Sequence, residues 1–313
     1  SMVDTSHPAT PPELERGASL APLTTIRVGG LADYLAGASS FRAVVGVLSW
    51  ARARDLPVAI IGRGSNLLVS DEGWRGVALR LHGRLTAISV RGTDVWCGGG
   101  ASLPRAVQRA AKAGLTGLEW GASIPGTAGG AVAMNAGAHR SDLSEILRWA
   151  VVCSADGRRR VGPRELDLGY RRSSVAAGEV VAAVSFGLSR GRPEVIAGLL
   201  DEFRGYRRSS QPQGVRTFGS VFTNPEGDSA GRLLENAGCK GLAVGEARFS
   251  PVHANFIEAA PGTRSQDVLA LRRAGRDRVL SAGGPRLPAE VRYLDPERGI
   301  IPAPLDEIAG EAG

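Results

Sequence analysis

The sequence GLEWGASIPGTAGGAVAMNAGA, at residues 117–138, is the densest glycine-rich stretch of the chain. A shorter stretch, GRGSN at residues 62–66, lies between two apolar runs. Small residues of this kind let backbone amides approach a ligand closely, and concave turns of amides favour anions such as phosphate. Tight turns alone would explain either stretch, but the presence of both in one chain favours a pair of ligand-binding loops.

Neither stretch has the spacing of the common nucleotide-binding motifs. Leu67 stands where a GxGxxG motif that begins at Gly62 would have its third glycine, and the chain contains no GxxxxGK[ST] loop. Any dinucleotide must therefore be held by loops of another kind.

Hydrophobic periodicity predicts helices and strands on both sides of these loops. Apolar residues at helical spacing predict helices at 41–54, 103–113, 193–206, 229–237 and 265–280. Short apolar runs predict strands at 57–61, 67–70, 150–153 and 180–188, and Asp156-Gly157 predicts a hairpin turn. The sequence therefore predicts a mixed α and β protein.

The net charge of +7 comes almost entirely from arginine, since Lys112 and Lys240 are the only lysines. Codon usage in a GC-rich genome explains much of this bias. A nucleic-acid-binding surface usually shows a basic stripe with interleaved aromatic residues, whereas here the arginines are scattered and aromatic residues make up 5%. Isolated guanidinium groups suit the phosphates and carboxylates of small molecules better, so we expect no nucleic acid.

Cysteine usage and hydropathy favour a cytoplasmic protein. Cys97, Cys153 and Cys239 form no CxxC pair, which fits a reducing compartment and gives no zinc site. The histidines show no metal-ligand spacing, so we expect no metal. No apolar run is long enough to cross a bilayer, and the N-terminal residues lack the apolar core of a signal peptide, so we expect no membrane insertion.

Seven motifs then occur in one order along the chain: TTIRVGGLADY (24–34), IGRGSNLLVSDEGWRGV (61–77), the 117–138 stretch, YRRS (170–173), GSVFTNP (219–225), VHANF (252–256) and LPAEVR (287–292). Each motif alone is weakly specific. With all seven in this order, the chain resembles the UDP-N-acetylenolpyruvoylglucosamine reductases from Leu20 to Arg292.

The resemblance implies an α+β fold. It consists of an FAD-binding fold of the vanillyl-alcohol-oxidase (PCMH) type in two subdomains and a C-terminal α+β substrate-binding domain. The corresponding division is a flexible N-terminal arm (1–18), the two FAD-binding subdomains (19–80 and 81–206), the substrate-binding domain (207–295) and a C-terminal tail (296–313). The short spacing between YRRS and GSVF resembles the subtype that lacks an extra Tyr-bearing loop.

The same resemblance implies reduction of UDP-N-acetylglucosamine enolpyruvate to UDP-N-acetylmuramate in peptidoglycan precursor synthesis. NADPH would be the hydride donor and FAD the cofactor, with no obligatory protein partner. The FAD would be non-covalent, because residues 61–66 contain no histidine or cysteine for a tether. The motif positions assign cofactor binding to Ile61, Gly62, Arg63, Gly64, Ser65, Asn66, Leu67, Ser123, Ile124, Pro125, Gly126, Thr127, Gly129, Gly130, Asn135 and Gly137.

Three residues match the catalytic positions of the family. Ser220 matches the general acid, and a weakly acidic hydroxyl can protonate a strongly basic enolate carbon; without the resemblance, a turn hydroxyl would be the better interpretation. Arg171 would bind the enolpyruvyl carboxylate, and Glu290 would stabilise the enol form or assist proton delivery. Substrate contacts are expected from Tyr170, Arg207, Gln211 and Asn224.

Two of these assignments have alternatives. Arg172 is adjacent to Arg171 and equally charged, although the motif places Arg171 directly after the tyrosine. Glu290 could instead be a salt-bridge partner of Arg286 or Arg292. The sequence does not divide the roles between Glu290 and Arg171.

The chain also departs from the family pattern beside these positions. Ser123 replaces a usual glycine before IPG, His139-Arg140 replaces a common Tyr-Gly, and Glu258 follows HANFI where Val-Asn is usual. Two rival functions remain: a flavin oxidase of the same fold that uses oxygen, and a non-catalytic paralogue that binds FAD or a UDP-sugar. Retention of an acid, a carboxylate-binding arginine and a charge-stabilising carboxylate argues against the second rival.

Overall fold

The computed structural model of the protein describes residues 7–135, 143–169, 172–204 and 212–304. The described residues form two compact units. The first unit comprises the described parts of 1–16, 34–63 and 76–206, and the second comprises those of 17–33, 64–75 and 207–313. The chain enters the second unit after Arg16, returns to the first after Asp33, and enters the second again inside the GRGSN loop, between Arg63 and Gly64.

The described residues contain both strands and helices. The strands are β1 (Leu14–Ser19), β2 (Leu31–Ala38), β3 (Val58–Ile60), β4 (Leu67–Val69), β5 (Trp74–Leu81), β6 (Ile88–Arg91), β7 (Asp94–Gly98), β8 (Leu115–Thr116), β9 (Leu147–Ser154), β10 (Gly157–Val161), β11 (Val180–Gly187), β12 (Ser189–Arg190), β13 (Ala243–Val244), β14 (Ala247–Phe249), β15 (Ile257–Ala259), β16 (Arg292–Asp295) and β17 (Gly299–Pro302). The helices are α1 (Phe41–Arg52), α2 (Leu103–Lys112), α3 (Ala128–Ala133), α4 (Leu143–Ile146), α5 (Pro193–Arg204), α6 (Ala230–Asn236) and α7 (Ser265–Ser281).

The first unit is built on an antiparallel sheet with the strand order β10-β9-β11-β7-β6. All eight residues of β11 are buried, which explains its continuous apolar sequence VVAAVSFG. The neighbouring strand β9 alternates between two cores, because successive side chains of a strand point to opposite faces. Val151 and Cys153 pack in the core that contains α1, and Ala150 and Val152 pack in the core that contains α2.

A second sheet of four strands has the order β1-β2-β5-β3, and β3 runs parallel to β5 with Val58 opposite Val77. Helix α1 begins directly after β2, where the Ser40 hydroxyl accepts a hydrogen bond from the Ala43 amide at 3.1 Å. This N-cap satisfies one of the free amides of the first turn. Strands β3 and β5 end where the first glycine-rich loop and the β5–β6 connection begin.

The second unit contains two three-stranded sheets, β13-β14-β15 and β17-β16-β4, and the second of these pairs β16 in parallel with β4. Helices α6 and α7 pack with β14 around a buried apolar core that includes Phe249. Asp71, just after β4, fixes the start of α7. Its two carboxylate oxygens accept hydrogen bonds from the amides of Ser265 (2.7 Å) and Gln266 (3.2 Å).

The termini contain more regular structure than the sequence indicated. Strand β1 lies largely within the segment 1–18, which was expected to be a flexible arm, and the Glu13 carboxylate contacts the His82 ring at 2.6 Å. Strand β17 lies within the expected tail and pairs with β16. Neither strand has a regularly buried face: β1 has one fully buried residue, Ala18, and β17 has none. Hydrophobic alternation therefore gave no strand signal there.

The predicted helix bounds agree with the observed ones to within two residues wherever the end is described, and the hairpin at Asp156-Gly157 is confirmed by the pairing of β9 with β10. Among the described helices, none combines the length and the apolar character that crossing a bilayer requires. All three cysteines are free and buried. Burial raises the pKa of Cys97 to about 12 and that of Cys153 to about 11, which keeps both thiols protonated and unreactive near neutral pH.

Candidate active site

A cavity of about 330 Å³ lies in the first unit, where the ends of β3 and β5 meet the glycine-rich residues after Ser123. This volume is at the lower end of the range for small-molecule sites. Glycine, hydroxyl and guanidinium groups line it together with apolar walls: Ile60, Ile61, Gly62, Arg63, Arg80, Leu81, Thr86, Ile88, Gly100, Ser102, Arg105 and Thr127. No acidic side chain occurs among these described residues, so the cavity favours an anionic ligand.

The two glycine-rich loops meet at this cavity, as predicted for a pair of binding loops. A Cβ atom added to Gly62 would lie 3.0 Å from Cγ2 of Thr127. Backbone hydrogen bonds anchor the second loop from behind: the Ala128 amide donates to the Ala101 carbonyl at 2.9 Å, and the Leu103 amide donates to the Gly126 carbonyl at 3.0 Å. These backbone hydrogen bonds hold the loop in place without a contribution from a ligand.

A β-bulge in β11 makes this anchoring possible. The register between β11 and β9 shifts between Val181 and Ala183, and the Ala182 carbonyl accepts a hydrogen bond from the Gly99 amide at 2.8 Å. Gly129 lies directly against the same bulge, because an added Cβ would be 2.5 Å from the Val181 carbonyl oxygen. Bulges commonly redirect backbone groups beside functional sites. Here the bulge leaves no space for any side chain at residue 129.

Two hydroxyl groups at the cavity cap the helices that begin there. The Ser102 oxygen accepts from the Arg105 amide at 3.3 Å, and the Thr127 oxygen accepts from the Gly130 amide at 3.1 Å. An N-capping hydroxyl uses its oxygen as an acceptor and keeps its O–H as a donor. With the arginines of the lining, these hydroxyls form a donor set that fits the diphosphate of FAD.

Of the predicted cofactor residues of the second loop that the structure describes, Thr127 alone lines the cavity, and several others have contacts of their own. Ser123 donates from its hydroxyl to the Trp120 carbonyl at 3.4 Å, so the departure from the family glycine has a local hydrogen bond. Asn135 has a positive φ of 46° and donates from its side chain to the Gly169 carbonyl at 2.6 Å. Ile124 and Pro125 are half-buried in the same loop, and Gly137 lies outside the described residues.

Sequence reasoning missed Arg80, Arg105, Thr86 and Ser102 as cavity-lining residues. Ser102 had a signal, since it precedes the apolar periodicity of α2 as an N-cap. Arg80 and Arg105 had none, because scattered arginines give no indication of which ones face a common cavity.

The second unit holds the remainder of the GRGSN loop. The Gly64 carbonyl accepts from the Thr25 amide at 2.9 Å, and Leu67 in β4 lies opposite Arg292 in β16. The side-chain amide of Asn66 donates to the carbonyl of Glu290 at 3.0 Å, and the Arg292 amide donates to the Asn66 carbonyl at 3.0 Å. This part of the loop is therefore tied directly to the segment that carries Glu290.

The segments of Ser220 and Glu290 are joined at Val221, the residue that follows Ser220. The Val221 carbonyl accepts from the Glu290 amide at 3.1 Å and from the Val291 amide at 3.4 Å. Ser220 pairs with Phe256 on the other side, in an isolated antiparallel bridge. Both Ser220 and Glu290 are half-buried, which keeps their polar atoms accessible to a small ligand.

The residue before the serine makes this arrangement possible. Gly219 has a φ of +78°, a left-handed conformation that residues with a Cβ rarely adopt. The chain turns there and then enters the short pairing with Phe256. The glycine of the GSVF motif is therefore required by backbone geometry, and it delivers Ser220 to the start of the paired segment.

The remaining predicted site residues divide into two groups. Asn224 is exposed, and its side-chain oxygen accepts from the Ala230 amide at 2.9 Å, so it caps the start of α6. A substrate contact from its other side-chain atom stays a prediction. Four residues lie outside the described residues: Tyr170, Arg171, Arg207 and Gln211.

Glu258, the third departure from the family pattern, has a structural partner. It is 7% exposed on β15 and lies opposite Arg248 of β14, whose guanidinium contacts its carboxylate at 2.8 and 2.9 Å. A buried carboxylate with a forked arginine partner is a structural ion pair. This departure is therefore part of the sheet, where Arg248 is its partner.

Comparison with known proteins agrees with the fold and the cavity. A family model for an FAD binding domain matches residues 32–161, which include all of the cavity-lining residues named above. A second model, for the C-terminal domain of UDP-N-acetylenolpyruvoylglucosamine reductase, matches residues 211–294, which include Ser220 and Glu290. The fold and the site thus define an FAD-dependent oxidoreductase.

Full-length relatives give the family. UDP-N-acetylenolpyruvoylglucosamine reductase 2 of Symbiobacterium thermophilum is 42% identical over 90% of this chain and 92% of its own length. The reductase of Anaeromyxobacter dehalogenans is 41% identical over 95% of this chain and 89% of its own. The crystal structure of the Thermus caldophilus reductase superposes with a TM-score of 0.72 at 36% identity, covering 90% of this chain and 98% of that one.

The chain belongs to the UDP-N-acetylenolpyruvoylglucosamine reductase family. The predicted fold class, an FAD-binding fold of the vanillyl-alcohol-oxidase type followed by a C-terminal α+β domain, is confirmed. The prediction of FAD as cofactor is also confirmed. The finer division into two FAD-binding subdomains with bounds at 80 and 206, and the roles of individual site residues, stay predictions.

Proposed function

We propose that the chain reduces the enolpyruvyl group of UDP-N-acetylglucosamine enolpyruvate to give UDP-N-acetylmuramate, with NADPH as hydride donor. The observation that carries this proposal is the joint anchoring of Ser220 and Glu290 on Val221, in a chain that also has an FAD-binding domain with a cavity at its two glycine-rich loops. The backbone hydrogen bonds at Val221 place the segments that carry a hydroxyl and a carboxylate next to each other, and these two groups suit the protonation of a carbon next to a carboxylate group. Family membership supports the same substrate and the same place in peptidoglycan precursor synthesis.

FAD, when bound, supplies the hydride carrier between NADPH and the substrate. Residues of the cavity would hold its diphosphate: the backbone at Gly62, the hydroxyls of Ser102 and Thr127, and the arginines. The chain's own chemistry then concerns charge and protons. Hydride addition to the terminal enol carbon places negative charge on the neighbouring carbon, and preorganised groups that stabilise such charge are often the largest catalytic contribution.

Ser220 would donate its hydroxyl proton to that carbon, and Glu290 would stabilise the enol form or assist the proton delivery. General acid catalysis of this kind contributes about 10²- to 10⁴-fold. Arg171 would bind the substrate carboxylate through its planar guanidinium. The neighbouring Arg172 is less suited to that role, because its side chain packs on the backbone of Gly169, where an added Cβ would meet its Nε at 2.5 Å.

The test separates the two half-reactions of the flavin. In Ser220→Ala, we expect the protein to retain FAD and to be bleached anaerobically by NADPH at the parent rate, because Ser220 acts only after the flavin is reduced. Reoxidation by UDP-N-acetylglucosamine enolpyruvate should fall by about 10²-fold or more. Ser281→Ala, an exposed serine at the end of α7, is the matched control and should behave as the parent. Parent-like reoxidation of Ser220→Ala would remove Ser220 from the mechanism.

The rival functions give different results in the same apparatus. A flavin oxidase would be reoxidised rapidly by oxygen and slowly by the enolpyruvyl substrate. A non-catalytic paralogue would hold FAD or the UDP-sugar without turnover. A second pair of variants, Arg171→Lys and Arg172→Lys, tests the arginine assignment: we expect severe loss only in Arg171→Lys, since a point charge does not replace a forked donor.

We also infer that the reaction takes place in the cytoplasm. The buried, free thiols and the absence of a membrane-crossing helix among the described residues support this inference, as does the chemistry of NADPH and a nucleotide-linked sugar. No metal takes part in the proposal, and among the described residues no group of three or more His, Cys, Asp or Glu side chains could hold one.

A further inference from the structure

Asn255 binds the segment that carries Ser220 through both its side chain and its backbone. Its side-chain oxygen accepts from the Phe222 amide at 3.0 Å, and its side-chain nitrogen donates to the Phe222 carbonyl at 2.9 Å. Its backbone carbonyl also accepts from the Val221 amide at 2.9 Å. One residue therefore makes three hydrogen bonds to the two residues that follow Ser220, and it is only 3% exposed.

The side chain of Asn255 imitates a neighbouring strand. Both backbone polar groups of Phe222 need partners because the residue is fully buried. Only an amide side chain offers a donor and an acceptor at the spacing of a peptide group. Aspartate would place an oxygen against the Phe222 carbonyl, and alanine would leave both groups unpaired.

Asn255 is itself held by a turn that includes His253. The Asn255 amide donates to Nδ1 of His253 at 3.1 Å, and the Ser250 hydroxyl oxygen accepts from the amides of Val252 (3.1 Å) and His253 (3.3 Å). A ring nitrogen accepts a hydrogen bond only when it carries no proton. Burial, with the nearby Lys240 charge, lowers the pKa of His253, which favours this neutral form. The turn therefore presents the Asn255 side chain in one orientation.

The clamp acts on both proposed catalytic residues through Val221. The amide of Val221 is bound by Asn255, and its carbonyl is bound by the Glu290 amide. A shift of the Phe222 backbone would therefore move Ser220 and alter its position relative to Glu290. The buried Arg272 restricts movement of the Phe222 side chain, since its guanidinium carbon lies 5.3 Å from the centroid of the Phe222 ring.

We propose that Asn255 is a positioning residue for proton delivery by Ser220, acting through the backbone of Val221 and Phe222. This inference rests on the proposed function, in which Ser220 is the acid. Misplacement of a catalytic group by about 1 Å can reduce a rate by about 10²-fold. The effect should fall on the half-reaction that uses Ser220 and leave the other unchanged.

The experiment uses the intact holoenzyme and follows flavin absorbance after anaerobic mixing. In Asn255→Asp, we expect an unchanged rate of bleaching by NADPH, unchanged FAD content, and reoxidation by UDP-N-acetylglucosamine enolpyruvate slowed about 10- to 100-fold. The solvent deuterium isotope effect on reoxidation should rise, because proton transfer becomes the slow step. Asn236→Asp, an exposed asparagine at the end of α6, adds the same charge nearby and should match the parent.

A double mutant distinguishes failure of this inference from failure of the proposed function. If Asn255 acts through Ser220, adding Asn255→Asp to Ser220→Ala should cause no further loss, because residues that act as a unit are not additive. Multiplied effects in the double mutant would overturn the inference. Parent-like reoxidation in Ser220→Ala would instead overturn the proposed function, and an impaired Ser220→Ala with a normal Asn255→Asp would overturn the inference alone.

A milder variant covers the case in which Asn255→Asp does not fold. Ser250→Ala removes the hydroxyl that organises the turn but leaves the Asn255 amide in place. We expect reoxidation to slow several-fold, with the same rise in the isotope effect and with bleaching by NADPH unchanged. A purely structural role would lower FAD content and both half-reactions together, and that result would overturn the inference.

Discussion

The cavity loop of the first unit and the Ser220 segment of the second unit are both irregular, but their backbones are fixed in opposite ways. The loop at 124–130 packs backbone directly on backbone, and Gly129 fits only because it has no side chain. The Ser220 segment has backbone partners too, but side-chain amides complete its pairing, with Asn255 bound to Phe222 and Asn66 bound to the Glu290 carbonyl. Adding side-chain atoms should therefore disrupt the loop at 124–130, whereas removing side-chain amides should disrupt the Ser220 segment.

The difference follows from what each region has to present. In the proposed function the loop would bind the diphosphate of FAD through amides that must approach it closely, and such a loop has to exclude side chains. A proton donor must project a side chain at a fixed position, so its neighbours supply the missing backbone partners. Buried backbone groups are satisfied in both regions, as the cost of unpaired groups requires.

The largest expected effect comes from adding one methyl group at the loop. In Gly129→Ala, the new Cβ would lie 2.5 Å from the Val181 carbonyl oxygen and 2.8 Å from that of Gly99. Backbone on both sides cannot move without disturbing β11, so we expect the free energy of unfolding to fall by about 3 kcal/mol. The purified protein should also lose bound FAD. Denaturant unfolding of the apoprotein and the flavin content of the purified protein measure the two effects.

A Gly129→Ala variant that keeps its FAD and loses less than about 0.5 kcal/mol, the usual range for surface substitutions, would contradict this account. It would show that the loop can shift away from the bulge in β11, and the contrast between the two regions would then be weaker than the contacts indicate.

A smaller effect should follow from removing a side-chain clamp in the second unit. Asp71 caps α7 through the amides of Ser265 and Gln266, and Asp71→Ala removes both acceptors. Loss of an N-cap costs about 0.5–2 kcal/mol, so we expect about 1–2 kcal/mol in denaturant unfolding. Asp71→Asn keeps one acceptor and should recover part of the loss. Equal stability of the alanine variant and the parent would show that water replaces the clamp.

Regular elements and motif positions could be predicted from sequence because their signals are local. The helix α2, for example, has apolar residues at helical spacing, an N-cap at Ser102 and a glycine, Gly114, two residues after its last residue. Family motifs likewise placed Ser220 and Glu290 in segments that the structure brings together. The two glycine-rich loops were recognised as a pair, and Gly62 and Thr127 do line one cavity.

The rest could not be predicted because it depends on contacts between distant residues. Asn255 belongs to the VHANF motif, but its role could not be predicted because its hydrogen bond to Phe222 joins residues 33 positions apart. The bulge at Val181–Ala183 leaves no trace in the sequence, because the residues around it, VVAAV at 180–184, are all apolar. Strand β1 was missed because an edge strand with one buried residue has no alternation to detect.

The smallest expected effect has the opposite sign and tests whether glycine itself or its surroundings matters. Gly46 lies on the exposed face of α1, and an added Cβ would meet no atom within 4 Å. Because glycine costs about 0.5–1 kcal/mol relative to alanine inside a helix, Gly46→Ala should raise the free energy of unfolding by that amount.

The same glycine-to-alanine substitution would then stabilise the protein at residue 46 and destabilise it at residue 129, within one unit. Since the change in backbone entropy is similar in both variants, the difference between them, about 4 kcal/mol, isolates the contact with the bulge in β11. A loss of stability in Gly46→Ala would mean that replacing glycine is harmful in this unit for some other reason, and the effect at Gly129 could no longer be assigned to that contact.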